Sequence, residues 1–424
     1  MFLTKQIKQI IKKNKIIFSK LKKINFFFEN QKIKIKNKKN LKNEKNLKNK
    51  SIINVCFFVV DQSLWKYDNL FKKLRNHPKF NPNIVIYPYK TLYEEKNRKE
   101  KLKEVEDFFL KRNYEYILDD TGEKNIKKKT KPDIIFYSLP YEEINYKNYN
   151  IDKFKDSLCC YIPYYIDPNN VPELYYDLKF HNLLWKFFLP TKVHLEDCKK
   201  YSRMKGKNAM FTGYPGIENY RKIWEKNKNE KKVIIWAPHQ SLPDVERPYS
   251  LTWSTFYMYY NRMIDISDRY KDKIDFIFKP HPGVYKKLLK DWGKEKTDKY
   301  YEKWNNKDNR KIELGDYSEV FLRSDALIHD CNSFTIEYLA TLKPVCRLVN
   351  KIDYKKYLNK VGIEAWECHE LAFEEKDIIN FIENVINGID NKKEKKEKFY
   401  NKYFNYIEGN SPSELIIKEL EKYI

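Results

Sequence analysis

The chain has 424 residues, 42% of them hydrophobic, with 84 Lys and Arg against 59 Asp and Glu. That length holds two domains with sizeable cores, and the apolar share excludes a disordered or fibrous protein. Of the net charge of +25, residues 1–50 hold +15, from seventeen lysines against Glu29 and Glu44. Basicity is thus a tail property, and a body without zinc-finger, RNP-type or helix-turn-helix spacing excludes a specific nucleic-acid role.

Taken in order, residues 2–28 place Leu3, Ile7, Ile10, Ile11, Ile17, Phe18, Leu21, Ile24 and Phe28 at roughly helical spacing between lysines. This pattern predicts a basic amphipathic helix suited to an anionic membrane surface. The Lys/Asn repeats of residues 31–50 predict a disordered tether. No run of eighteen apolar residues occurs, so nothing is expected to span a bilayer, and lysines interrupt every apolar run that could serve as a signal peptide. Seven cysteines without a CxxC pair suit a reduced, cytosolic setting and suggest no zinc site.

Residues 52–61 (IINVCFFVVD) read as a buried strand ending in Asp61, with a helix over 67–74. Further strands are predicted at 83–87, 133–137, 158–162, 185–189 and 209–212, with helices over 94–112 and 194–204 and a surface loop over 124–131. Strands separated by helical stretches predict a parallel α/β sheet. The charged stretch 218–232 reads as an interdomain connection, giving a tail (1–50), a first domain (51–217) and a second domain (218–424).

The second half repeats the logic. VIIWA (233–237) runs into Pro238-His239-Gln240-Ser241, and IDFIFK (274–279) into Pro280-His281-Pro282-Gly283. A third strand, 326–328, leads to His329 and Asp330, then to a helix over 333–342; another strand starts near 343–346, and helices close the chain at 378–389 and 413–423. In an open parallel sheet, ligands bind beyond the carboxyl ends of the strands, so these three turns would share one edge. Ser333 would cap the helix, Thr335 adds a hydroxyl in its first turn, and Glu337 follows on the same face. A phosphate at the helix tip and a carboxylate one turn deeper fit a nucleotide diphosphate. An ordinary capped helix with a solvated glutamate is the competing reading.

Together ALIHDCNSFTIEYLATLKPV, FKPHPG, WAPHQSL, TGYPG and FFVVDQSLWKYD resemble the CDP-glycerol glycerophosphotransferase (teichoic-acid polymerase) family, and most its capsule and surface-polysaccharide branch. The likeness covers roughly residues 52–390. It implies a GT-B fold, two Rossmann-like domains facing across a cleft, with the nucleotide donor in the second and the final helix crossing back to the first. It implies transfer of a phospho-alditol from a CDP carrier to a polysaccharide or lipid-linked acceptor at the inner face of a bacterial cytoplasmic membrane, releasing CMP. By the same resemblance His281 faces the donor phosphates, within the Lys279-Pro-His-Pro segment. Ser333 and Thr335 meet the pyrophosphate, beside Asp330 and Asn332, and Glu337 binds the ribose. Two departures stand out. Many relatives carry Asp-Tyr-Ser-Ser where this chain has Asp330-Cys331-Asn332-Ser333, and many have a threonine- or arginine-bearing turn at His239.

The expected reaction is in-line attack of an acceptor hydroxyl on the β-phosphorus. His239 is the first candidate for the base and Asp61 the second; Asp330 is expected to orient its turn. No cofactor is expected. No DxD-type cluster implies a tightly bound metal, and Mg²⁺ dependence stays open. Two alternatives remain: a GT-B glycosyltransferase using a CMP- or UDP-sugar, and an inactive scaffold of a capsule assembly complex.

Overall fold

The structure, a computed structural model, describes residues 15–91, 95–220, 231–242, 252–350, 355–405 and 407–424. The apolar positions Leu3 to Ile11 of the expected amphipathic helix, and residues 221–230 of the expected connection, lie outside the described residues.

Seven strands build the first sheet: β1 (Ile53–Val59), β2 (Phe80–Ile86), β3 (Tyr116–Leu118), β4 (Ile134–Tyr137), β5 (Leu158–Tyr161), β6 (Lys186–Leu189) and β7 (Ala209–Phe211). Six build the second: β8 (Lys232–Ala237), β9 (Ile274–Phe278), β10 (Arg310–Ile312), β11 (Ala326–His329), β12 (Val345–Leu348) and β13 (Glu370–Ala372). Every pairing between these strands is parallel. The orders are β3-β2-β1-β4-β5-β6-β7 and β10-β9-β8-β11-β12-β13, so each sheet is doubly wound. The near-continuous apolar runs of β1 and β8 follow, because helices cover both faces of such a sheet. In each sheet the chain reverses direction of travel at one place, between β1 and β4 and between β8 and β11. Ligands bind at such switch points, so the ends of these strands are where chemistry is expected.

Aromatic rings fill the cores. Phe57 of β1 stacks on Phe136 of β4 at 5.0 Å, and Trp236 of β8 lies 5.0 Å from Phe278 and 5.4 Å from Trp304. The final helix, Pro412–Glu421, lies against the first sheet's side of the molecule, where Glu414 pairs with Lys73 and Glu419 with Lys186.

Two local expectations are corrected. Residues 31–47 are not a disordered tether: one helix runs from Lys15 to Leu47. Ile33, Lys36, Asn40 and Leu47 recur on one face and are buried there. The Lys36 ammonium donates to the carbonyls of Phe154 at 2.9 Å and Ser157 at 2.8 Å, which satisfies a charge that composition alone would leave in water. The helix after β11 is also shorter than predicted, α-helical only over Phe334–Glu337 and then 3₁₀ to Thr341. Ser333 there has helical φ and ψ and makes no side-chain cap; its Oγ lies 2.9 Å from Cys331 Sγ instead.

Candidate active site

Between the sheets lies a cleft of about 380 Å³, lined from the first domain by Asp61, Ser63, Tyr164 and Tyr165 and from the second by Lys279, His281 and Ser333 among others. The strand ends deliver these residues: Asp61 follows β1, His281 follows β9, and Ser333 follows β11. Of the residues singled out in the sequence, Asp61, Lys279, His281 and Ser333 line this cleft, whereas His239, Asp330, Asn332, Thr335 and Glu337 do not.

His281 and His239 stand together, ring centroids 5.3 Å apart. Each ring is fixed by its own turn. The Gly283 amide donates to His281 Nδ1 at 3.1 Å, and the Ser241 amide donates to His239 Nδ1 at 3.2 Å. A neutral imidazole whose Nδ1 accepts carries its proton on Nε2. Burial brings His239 down to about 3, helped by His281 and Arg347, and brings His281 down to about 4 against the opposing charge of Asp61 and with a smaller push from Lys279, so both are neutral near pH 7. His281 thus offers the cleft an N–H donor.

Lys279 is 5% exposed and its ammonium donates to the Gly315 carbonyl at 2.7 Å. Burial lowers it to about 8, opposed by Asp316 and Glu313. Across the cleft, Asp61 Oδ1 accepts from the amide and hydroxyl of Ser63 at 2.9 and 2.8 Å, and Lys101 lies 3.2 Å from Oδ2.

Beneath Ser333 the turn is held from inside. Asp330 is buried, and its carboxylate accepts from the His239 amide at 2.6 Å and from the Thr255 hydroxyl at 2.9 Å and amide. Burial raises it to about 6. It ties the β8 turn to the β11 turn and so orients both. The Arg347 guanidinium of β12, 1% exposed, donates to Thr335 Oγ1 and to Asn332 Oδ1 at 3.0 Å, and lies 4.4 Å from the Trp366 ring. Asn332 in turn donates to Asn169 Oδ1 at 3.0 Å, joining this turn to a first-domain loop.

Glu337 is fully buried and is not a solvated glutamate. Its oxygens accept from Tyr317 OH at 2.7 Å and Tyr214 OH at 3.4 Å, and Tyr317 OH accepts from the Lys66 ammonium at 2.6 Å. Burial pulls Lys66 down and pushes Glu337 up, while each partner opposes the other's shift. Lys66 and Arg347 were missed in the sequence. Lys66 sits in the quoted FFVVDQSLWKYD segment, one signal that could have found it; Arg347 lies in an otherwise apolar strand and left none.

The comparisons agree with this architecture. A variant of the wall teichoic acid polymerase TagF superimposes with a TM-score of 0.53 at 12% identity, covering 94% of this chain and 98% of that one. S. aureus MnaA in a co-structure with UDP gives 0.52 at 13%, covering 88% and 97%. A Methanocaldococcus jannaschii UDP-GlcNAc 2-epimerase gives 0.51 at 13%, covering 88% and 100%. At such identities these likenesses show the fold, which is GT-B. Among curated proteins none matches significantly. The sequence model of the CDP-glycerol:poly(glycerophosphate) glycerophosphotransferases matches residues 192–422, more than half of the chain, and the chain belongs to that family.

Proposed function

We propose that the protein transfers glycerol phosphate, or a similar phospho-alditol, from a CDP-linked donor to a hydroxyl of a surface polysaccharide or lipid-linked acceptor. The observation that carries this reading is the facing of Asp61, from one sheet, and Lys279, His281 and Ser333, from the other, across one cleft. A bond forms between the acceptor oxygen and the β-phosphorus. The bond from that phosphorus to the bridging oxygen breaks, and CMP departs with its electron pair. Catalysis of this kind is mostly positioning and charge stabilisation. The Lys279 ammonium and the His281 Nε2–H serve the diphosphate and the departing CMP.

Asp61 is the better-placed base, reversing the order expected from the sequence. His239 does not line the cleft, and its Nδ1 already accepts from Ser241. Asp61 lies on the acceptor side of the cleft and has an acceptor oxygen to offer. The turn of Asp330, Asn332, Thr335 and Glu337 acts from beneath, holding Ser333 in place for the donor. The basic N-terminal helix presents exposed Phe27 and Phe28, which supports peripheral association with the inner face of a bacterial cytoplasmic membrane. No helix among the described residues is long and apolar enough to cross a membrane.

The test is CMP release against CDP-glycerol, CDP-ribitol, CMP-sugars and UDP-sugars. Acceptor-dependent release from a CDP-alditol, lost in His281→Ala and Asp61→Asn but kept above a tenth in His239→Gln, is the expected result. Turnover of a nucleotide sugar alone would move the attack from phosphorus to carbon and sink the proposal.

A further inference from the structure

A groove of about 540 Å³ runs along the second domain and shares no lining residue with the cleft. Two helices build it, Gly283–Trp292 and Lys294–Asn305, with Tyr260 from the helix Phe256–Arg269. Gly293 alone separates the first two. Its φ of 78° and ψ of 169° belong to a region that only glycine enters readily. The bend there brings the Lys296 ammonium to 4.6 Å from the centre of the Trp292 ring.

The wall is aromatic and fixed. Trp292 lies 5.0 Å from Tyr260 and 5.7 Å from Tyr300, centre to centre, and Tyr300 OH donates to the Tyr260 carbonyl at 3.0 Å. Trp292 and Tyr260 are only partly buried, so their rings remain open to a ligand. The rim is basic. Lys296, Lys299, Tyr300 and Lys303 follow one another at i, i+3, i+4 and i+7 and share a helix face. The three lysines stand against one carboxylate of the lining, Glu295, which pairs with Lys299 at 2.7 Å. Two neighbouring carboxylates are engaged elsewhere: Asp291 accepts from Tyr257 OH, and Asp298 from Tyr285 OH and Lys294. Lys296 and Lys303 make no ion pair among the described residues.

The chemistry of the groove selects its guest. Aromatic faces take up C–H surface, and free ammonium groups take up anions. A phosphodiester-linked polyol alternates the two. A neutral polysaccharide would leave the lysines unused, and free phosphate would leave the rings unused. The helix Gly283–Trp292 relates this groove to the cleft: Gly283 and Lys286, in its first turn, line the cleft, and Trp292, its last residue, lines the groove. At about 1.5 Å per residue the two ends lie about 14 Å apart. Lys290, one turn beyond Lys286 and exposed like it, continues the basic side between them. One alditol unit is too short to occupy both places, whereas a chain of several units reaches.

We infer that the groove holds the older units of an anionic, phosphodiester-linked polyol acceptor while its growing end lies in the cleft. The inference rests on the phosphotransfer reading for which end reacts, though not for the binding of the chain. The rival occupant is a single-stranded nucleic acid, whose bases would stack on the same rings.

Lysine footprinting of the full chain separates the two, because acetylation read by mass spectrometry reports each ammonium apart from whatever the basic N-terminal helix attracts. The probes are a long oligo(glycerophosphate), glycerol, inorganic phosphate and oligothymidylate. Protection of Lys296 and Lys303 by the long polyol chain alone is expected. Kinetically, the preference for a long over a single-unit primer, as a ratio of kcat/KM, should fall about five-fold in Lys296→Glu/Lys303→Glu. The same change of charge on another exposed helix face, Lys393→Glu/Lys398→Glu, should leave that preference in place. No protection of Lys296 and Lys303 by the chain, or an equal preference in wild type and Lys296→Glu/Lys303→Glu, overturns the inference. Protection by oligothymidylate as strong as by the polyol chain replaces the occupant and overturns it too. Protection by the polyol chain without CMP release from any CDP-alditol would instead sink the proposed reaction and leave the groove standing.

Discussion

The Lys66 ammonium of the first domain lies 2.6 Å from the Tyr317 hydroxyl of the second, and 3.9 Å from the centre of its ring. Tyr317 passes the contact on to Glu337, so a cation beyond one sheet and a carboxylate beyond the other are joined through one phenol. All three are buried. Removing one partner of a buried pair leaves a charge without compensation, at a cost of about 3–5 kcal/mol. Lys66→Met should therefore lower the thermal midpoint far more than Tyr317→Phe, which forfeits hydrogen bonds worth about 1–3 kcal/mol. The double variant Lys66→Met/Glu337→Gln should recover part of the loss. Equal midpoints for wild type and Lys66→Met would show that the pair carries no structural weight.

Acid should destabilise the fold through its histidines. His181, His239 and His369 are brought to about 3, and His194 and His281 to about 4, each mainly by burial. All are neutral in the fold but bind protons near 6.5 once unfolded. The unfolded chain thus takes up more protons as pH falls below 6.5, and stability falls with it, by up to about 1.4 kcal/mol per pH unit for each group. Asp330 and Asp167, raised by burial to about 6 and about 7, act in the opposite direction over this range. His329, also lowered by burial, joins the histidines, and Glu337, Glu218, Glu370 and Asp197, raised by burial, join the two aspartates. The carboxylates held down by cations, Glu414 at about 2 with Asp68 and Glu419, lose their stabilisation as pH falls and leave the balance on the side of the histidines. The thermal midpoint should drop steadily from pH 6.5 to 4, and His181→Phe, which removes one titrating group without removing a ring, should flatten that slope.

Donor capture should carry a basic limb. With Lys279 lowered to about 8, its charge is present below that pH and lost above it. Since kcat/KM reports groups of the free enzyme, kcat/KM for CDP-glycerol should decline above about pH 8. Lys279→Arg keeps a charge at every working pH and should abolish the decline, even if the changed shape lowers the plateau. Lys279→Met should be weak and flat. A wild-type profile level to pH 9.5 would remove Lys279 from the donor site.

How much of this was legible depended on whether the cause was local. β1, β8, β9 and β11 could be read because strands buried on both faces are continuous apolar runs. β3, β10 and β13 could not: each has three residues, partly exposed, and is a strand only because a neighbour pairs with it. The strand-end histidines were legible as a shared edge. Their roles were not, since which ring nitrogen is free depends on an amide two residues on. Glu337 looked like a cleft residue by helical spacing, yet Tyr214, 123 residues away, and Lys66 decide where its carboxylate rests. Arg347 reads as an intruder in a strand until the Asn332 and Thr335 side chains close around it.

The N-terminal helix divides into two parts with different physics. Its later part is docked: Glu29 pairs with Arg203 at 2.8 Å, Lys36 caps two carbonyls, Glu44 accepts from the Trp185 indole, and Leu47 is 3% exposed. Just ahead of Glu29, Ile24, Phe26, Phe27 and Phe28 are each more than half exposed. Large apolar side chains left in water beside a lysine-rich sequence are what an anionic bilayer surface takes up, through apolar insertion and charge together. Removing residues 1–28 should abolish co-sedimentation with phosphatidylglycerol vesicles and leave the thermal midpoint within a degree or two. Removing residues 1–50 should abolish binding and also lower the midpoint, because the docked part leaves with it. Raising salt should weaken binding of the intact chain, since exposed charges are screened over about 10 Å at 0.1 M. Phe27→Ser/Phe28→Ser should weaken it at every salt concentration. Vesicle binding undiminished by the shorter truncation would place the membrane contact elsewhere on the molecule and return these phenylalanines to some other partner.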